Sequence, residues 1–506
     1  MHAQFEPAIL DRPTTVSAAL GDVSRLRVHM IGIGGSGMSG AAALLRSMGA
    51  SVSGSDVSTF DGFGPLVAQG VRVAIGHHES QIDPEVQLVV VSAAIPETNP
   101  ELSTARRRGT PIMKYAQLVG ALSTLRPTIA VAGTHGKSTT TGMCVHLLRA
   151  AGLDPSFIIG ARSSDLGGSS GVGKGPNFVV ESCEFDRSFH HLNPRSAAIL
   201  NVEPDHMDCY SSLEEIVESF AGFVAKVSPD GLVVCNGDDL GARRAAMGGR
   251  ARIETFGFEE DADWRAVNLR SDRGRFAFDI ECRGRRMLST QLAIPGRHNV
   301  ANALAATALC VDAGAPPDCI GDALRTFPGV DRRMMWKGEG RGVTVVDDYA
   351  HHPTEIRVTI DAAKARYLPR RLWVVFQPHQ DSRTRYFMDE FAASFGQADE
   401  VIMPDVYLAR DHVDASARPG SLELATRISQ GGGKARYIPA LGAVVERLIG
   451  EVAEGDLVLT MGAGDVWKVA DELVERISGT GGVRCAPGSK DLVSAGGARS
   501  VSVSAA

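Results

Sequence analysis

No apolar run in this 506-residue chain approaches the roughly 18 residues needed to cross a bilayer. The opening stretch MHAQFEPAILDRP lacks the basic and apolar regions of a secretory signal. Both absences predict a cytoplasmic protein that does not use a membrane. Basic charge is short as well. Lys and Arg total 52 against 59 Asp and Glu, a net charge of −7, which leaves no basic stripe for a nucleic-acid backbone. Eight cysteines are scattered without a CxxC pair, so spacing offers no zinc framework and suits reduced thiols.

What is present is an alternation of short apolar runs with helical segments. LRVHMIGI, QLVVVSAAI, TIAVAG, NFVVES, SAAILNV, VTVVDDY, RLWVVFQ, DEVIMPDV and DLVLTMGAG read as strands of parallel sheets covered on both faces. The fold class is α/β, and the length suits three domains. Breaks at STLRPT and TFPGVDRR divide the chain into residues 25–125, 126–328 and 329–478. An extension of residues 1–24 precedes them, and a Gly/Ser/Ala-rich tail of residues 479–506 is expected to be disordered. From Trp264 to Ile294 the alternation is that of an antiparallel hairpin appended to the middle domain.

Two glycine loops carry the chemistry. In VHMIGIGGSGMSG, Gly32, Gly34 and Gly37 have the spacing of a strand turning into a helix whose N-terminus receives a diphosphate. Gly34, Gly35, Ser36 and Gly37 are the candidate contacts, and Asp56, about 20 positions on, suits a ribose hydroxyl. Alone, that stretch reads as a dehydrogenase. The second loop, TIAVAGTHGKSTTTGM, places Gly133, Thr134, His135, Gly136, Lys137, Ser138 and Thr139 between a strand and a helix. Its backbone N–H groups cradle nucleotide phosphates, Lys137 reaches the outer ones and Ser138 suits magnesium. Val131 stands where the GxxxxGK[ST] pattern has its first glycine. Glu181 and His206 each follow a strand, at the sheet edge where ligands bind, and are candidate metal ligands with Ser138.

With AGTHGKSTTT, NVEPDHMD, IPGRHNVANALAA, DDYAHHPTEI, FQPHQDSRTR and MGAGDVW in order, the chain resembles the Mur ligase family, which builds the peptide of bacterial peptidoglycan. The resemblance implies three α/β domains: a Rossmann-like N-terminal domain that binds a UDP-sugar, a central P-loop ATPase-type parallel-sheet domain, and a C-terminal Rossmann-like domain. It moves the first glycine loop from NAD to the diphosphate of UDP-N-acetylmuramate. GIGGSGMSG, DHMD and DDYAHHPTE look most like the branch that adds the first amino acid, with ATP and Mg2+ as cofactors and L-alanine as co-substrate. ATP would then phosphorylate the lactyl carboxylate, and the amine would displace phosphate. The alternative is a relative that adds another amino acid or a preformed peptide.

The same resemblance implies catalytic roles for Lys137, Glu181, His206, Asn299, Asn302, Arg332, Arg333 and Asp347. Asn299 and Asn302 would contact ATP, and Arg332 or Arg333 with Arg383 would meet substrate oxyanions in bidentate fashion. Nucleic acid and membrane are not expected partners, and the protein is expected to be a monomer or homodimer. This chain departs from the family pattern at three places. Cys183 and Phe185 interrupt an acidic run, leaving the roles of Glu184 and Asp186 open. Met334 replaces an aromatic, and Gln380 replaces an arginine.

Overall fold

The computed structural model describes residues 20–60, 62–408 and 420–479. Most of the expected N-terminal extension, and the expected tail beyond Gly479, lie outside the described residues. The chain divides into two compact units, Met1–Asp331 and Arg332–Ala506.

The first unit holds two sheets. Strands β1 (Arg27–Ile31), β2 (Ser51–Asp56), β3 (Arg72–Ile75), β4 (Leu88–Val91) and β5 (Ile112–Lys114) form a parallel sheet in the order β3-β2-β1-β4-β5. The order reverses between β1 and β4, so a crevice opens at the carboxyl end of β1. Val28, His29, Met30 and Ile31 are all buried, as expected of a central parallel strand covered on both faces.

The second sheet is built from β6 (Thr128–Ala132), β7 (Ser156–Ser163), β8 (Gly168–Gly171), β9 (Phe178–Glu181), β10 (Ser196–Ile199), β11 (Leu232–Asn236), β12 (Arg252–Gly257), β13 (Trp264–Asp272), β14 (Arg275–Cys282) and β15 (Arg285–Gln291). Its order is β15-β14-β13-β12-β11-β10-β6-β9-β7-β8. Every residue of β6 is buried, and alternate side chains serve opposite cores. Ala130 and Ala132 join Phe178, Phe220 and Phe223 on one face, while Ile129 and Val131 join Leu147, Leu304 and Leu309 on the other. Each large side chain fully buried there contributes roughly 1.5–3 kcal/mol relative to exposure. The expected hairpin is a three-stranded antiparallel meander, β13-β14-β15. It extends the main sheet because β13 pairs in parallel with β12.

The second unit carries β16 (Met335–Gly340), β17 (Val343–Asp348), β18 (Arg371–Phe376), β19 (Glu400–Met403), β20 (Ala435–Tyr437) and β21 (Asp456–Met461), in the order β16-β17-β21-β18-β19-β20. Only β16 is antiparallel to its neighbour.

Candidate active site

The first cradle begins where β1 ends. Gly32 takes a left-handed φ of 78°, which turns the chain so that the N–H groups of Gly32 and Ile33 both donate to the Ser55 carbonyl, at 2.9 and 3.0 Å. Helix Ser36–Ser47 then starts behind Gly35 with no side-chain cap. Its first-turn N–H groups are therefore free to bind an anion. Gly34 must be glycine, because a Cβ there would stand 2.5 Å from the Phe60 ring and 2.8 Å from Asp56. Asp56, expected on a ribose, accepts the Gly34 N–H at 2.8 Å through Oδ2 and the Val57 N–H at 2.8 Å through Oδ1. In this structure it braces the glycine loop.

The second cradle follows β6, and the topology explains its neighbours. Strand β6 lies between β9 and β10 and is parallel to both, so three carboxyl-end loops converge. Gly136 is left-handed, with φ 81°, and opens helix Lys137–Ala150. Thr134 and His135 are clasped by the loop after β10. The His135 N–H donates to Asn201 Oδ1 at 2.7 Å, and the Glu203 N–H donates to Thr134 Oγ1 at 2.9 Å. Ser138 and Thr139 are buried in the first turn. Lys137 Nζ donates to the carbonyls of Gly133 and Thr134, at 2.6 and 3.1 Å, and to Glu184 Oε1 at 2.9 Å. Burial disfavours that ammonium, but the negative charge of Glu184 outweighs it and holds the pKa above the ordinary lysine value.

Glu184 is the carboxylate that sequence reasoning left open. One ligand atom from each of Glu184, Asp205 and His206 lies within 4.8 Å of the others. Glu184 Oε2 is buried without a hydrogen bond; although it lies 2.9 Å from the Lys137 ammonium, it is off hydrogen-bonding geometry. His206 sits at a left-handed φ of 53°, and Phe185 meets its imidazole edge-on at 5.2 Å. The phenylalanine that interrupts the acidic run thus orients this histidine. Two carboxylates and an imidazole, one oxygen of them an orphan, fit a divalent cation that retains part of its water shell. Glu181, the expected ligand, is placed differently: its Oε2 accepts the Gly160 N–H of β7 at 2.6 Å. Its charge still bears on Lys137.

Asn299 and Asn302 lie on the first turns of helix Arg297–Asp312, both buried. Asn302 Nδ2 donates to Asn299 Oδ1 at 3.1 Å. A Cβ on Gly136 would stand 2.7 Å from Asn302 Oδ1, so this amide roofs the phosphate loop and requires glycine beneath it.

In the second unit, Asp347 and Asp348 end β17. Arg332 Nε donates to Asp347 Oδ2 at 2.8 Å, and its other nitrogens donate to the carbonyls of Gly462 and Gly464 at 2.7 and 3.2 Å. Burial raises the Asp347 pKa above the usual carboxylate value, with Arg332 working against it. Arg333 pairs with Glu355 at 3.3 Å. Both arginines expected on substrate thus make ion pairs within their own unit. Arg383 is buried in helix Asp381–Tyr386.

Family models match three consecutive stretches: the Mur ligase family catalytic domain over residues 27–126, the Mur ligase middle domain over 131–310, and the Mur ligase glutamate ligase domain over 332–464. A UDP-N-acetylmuramate–L-alanine ligase of Solibacter usitatus is 42% identical over 89% of this chain and 95% of its own length. One from Salinibacter ruber is 40% identical over 92% and 97%. Among solved structures, UDP-N-acetylmuramate-alanine ligase MurC of Thermotoga maritima superposes with a TM-score of 0.73 at 28% identity, over 89% of this chain and 99% of that one. A murein peptide ligase of Psychrobacter arcticus gives 0.65 at 25%, over 91% and 100%. The chain belongs to the Mur ligase family.

Proposed function

We propose that the chain is an ATP-dependent ligase joining L-alanine to UDP-N-acetylmuramate, the first peptide step of peptidoglycan precursor synthesis. The observation that carries this reading is the near full-length likeness to L-alanine ligases. In the proposed reaction an oxygen of the lactyl carboxylate attacks the γ-phosphorus of ATP and ADP departs. The alanine amine then attacks the acyl carbon, loses a proton and expels phosphate.

The residues of the first unit suit that chemistry. The uncapped helix behind Gly34, Gly35, Ser36 and Gly37 would take the diphosphate, and the loop from Gly133 to Thr139 would take the ATP phosphates. Lys137 supplies a cation placed in advance of the charge it must meet, which is the efficient arrangement for phosphoryl transfer. Asn299 and Asn302 would sit over the nucleotide. Mg2+ would be held by Ser138, Glu184, Asp205 and His206, with Glu181 adding negative charge nearby, and would neutralise charge on the phosphates. We assign the UDP-sugar to residues 25–125, ATP to 126–328, and the amino acid to 329–478. In that last region Arg332, Arg333, Asp347 and Arg383 are the candidate contributors. A cytoplasmic monomer or homodimer completes the reading.

A phosphate-release assay with UDP-N-acetylmuramate, ATP, Mg2+ and a panel of amino acids tests it. Release that depends on L-alanine is the expected result. The likeness to a murein peptide ligase makes a preformed murein peptide the second substrate to include, and release with that peptide but not with L-alanine would overturn the assignment.

A further inference from the structure

Tyr115 carries no expectation from sequence, being a lone tyrosine outside any motif. It is the first residue of helix Tyr115–Thr124, directly after β5, so it stands at the carboxyl edge of the first sheet, the edge that holds the glycine loop. Its ring packs partly buried against the surrounding core. A Cβ on Gly37 would collide with its hydroxyl, so glycine at that position makes room for this phenol. Gly37 is the second residue of the uncapped Ser36–Ser47 helix, and the hydroxyl therefore lies beside the N–H groups that would face an oxyanion. Among the described residues no protein hydrogen bond holds the hydroxyl, and because the residue is only partly buried its O–H can be offered to a ligand.

Burial, together with the negative charge of Glu181, raises the Tyr115 pKa above the ordinary phenol value. The group thus remains a proton donor throughout the neutral and mildly alkaline range. Glu181 is the last residue of β9, the strand paired with β6 ahead of the ATP loop. Tyr115 accordingly contacts the first cradle and feels the charge of the second.

We propose that the Tyr115 hydroxyl donates a hydrogen bond to a non-bridging diphosphate oxygen of the UDP-sugar, beside the first turn of helix Ser36–Ser47. This rests on the reading of that loop as the diphosphate site. The test is Tyr115→Phe, which keeps the ring and its packing. A hydrogen bond to a charged oxygen predicts a rise of roughly 10- to 100-fold in KM for UDP-N-acetylmuramate and in the Kd of UDP measured by calorimetry. KM for ATP and for L-alanine stays unchanged, as does the Kd of uridine, which lacks the diphosphate. A variant that binds uridine and UDP equally weakly has lost structure instead, and that result overturns the proposal, as does UDP affinity within twofold of the parent protein. Failure of the wider reading looks different: the parent protein would then release no phosphate with L-alanine, whatever UDP does.

Discussion

Glu184→Gln removes one charge from the Lys137 pair while preserving volume. The ammonium lies 2.9 Å from a carboxylate whose side chain is 3% exposed, and is itself 14% exposed, so solvent screens little of the loss. Breaking such a pair costs about 3–5 kcal/mol. The carbonyls of Gly133 and Thr134 and the amide oxygen of the new glutamine keep part of the solvation, which lowers the expected loss to about 2–4 kcal/mol. For a domain of this size that is roughly 5–10 °C in melting temperature. The sign with pH follows from the raised lysine pKa. The stabilisation is fully present below the unfolded value near about 10.4 and is lost only as pH rises through the higher folded value, so the gap stays flat from roughly pH 6 to 9. ATP supplies the missing negative charge beside Lys137, and saturating ATP should narrow the gap. If Glu184 also holds the cation, phosphate release will need more Mg2+. Thermal melts with and without ATP, paired with a Mg2+ titration of turnover, check both. A variant that melts with the parent protein, or a gap that ATP leaves untouched, would refute the pairing argument.

Gly34→Ala forces the Phe60 ring or Asp56 to move and should raise KM for UDP-N-acetylmuramate about tenfold or more while leaving KM for ATP unchanged, in steady-state kinetics. In the second unit, burial pushes the Asp348 pKa up to about 6 against the pull of Arg333 and two backbone N–H groups. Because an unfolded aspartate titrates near about 3.9, the folded state holds the proton more tightly. Stability of that unit should therefore fall as pH rises from roughly 4 to 6, by about 2–3 kcal/mol at most. Denaturant melts read by Trp336, Trp373 and Trp467 would follow it, and Asp348→Asn should flatten the profile across that window.

Much of the fold was legible because parallel strands buried on both faces read as near-continuous apolar runs, here interrupted only by single polar residues such as His29 and Thr460. VHMI of β1, IAVA of β6 and LVLTM of β21 are buried along their length. Sheet order was not legible. That β6 lies between β9 and β10 depends on which helices cover which face, a long-range matter that no local period encodes. The stretch from Trp264 showed its alternation plainly, yet its third strand emerges only from the pairing of β14 with β15, and its parallel union with β12 from that of Phe256 with Trp264.

The acidic segment shows where local reading stops. Glu181 and Glu184 are three residues apart and chemically alike, and the strand pattern ahead of them favours the first. Glu181 is the last residue of β9, and its carboxylate turns to the adjacent β7, where it accepts the Gly160 N–H at 2.6 Å. Glu184 lies past the strand, just before the short helical segment Phe185–His191, in which Asp186 and Arg187 take left-handed φ values of 50° and 49°. That contorted backbone, anchored by the Tyr210 hydroxyl donating to the Glu184 carbonyl at 2.6 Å, carries the second carboxylate to Lys137 and His206. Backbone conformations of this kind are sparsely populated and persist only where surrounding packing imposes them. Which glutamate meets Lys137 and His206 is therefore set by tertiary contacts, with Phe185 against His206 and Tyr210 beneath the loop, and those contacts join residues too far apart in the chain for any motif to have announced them.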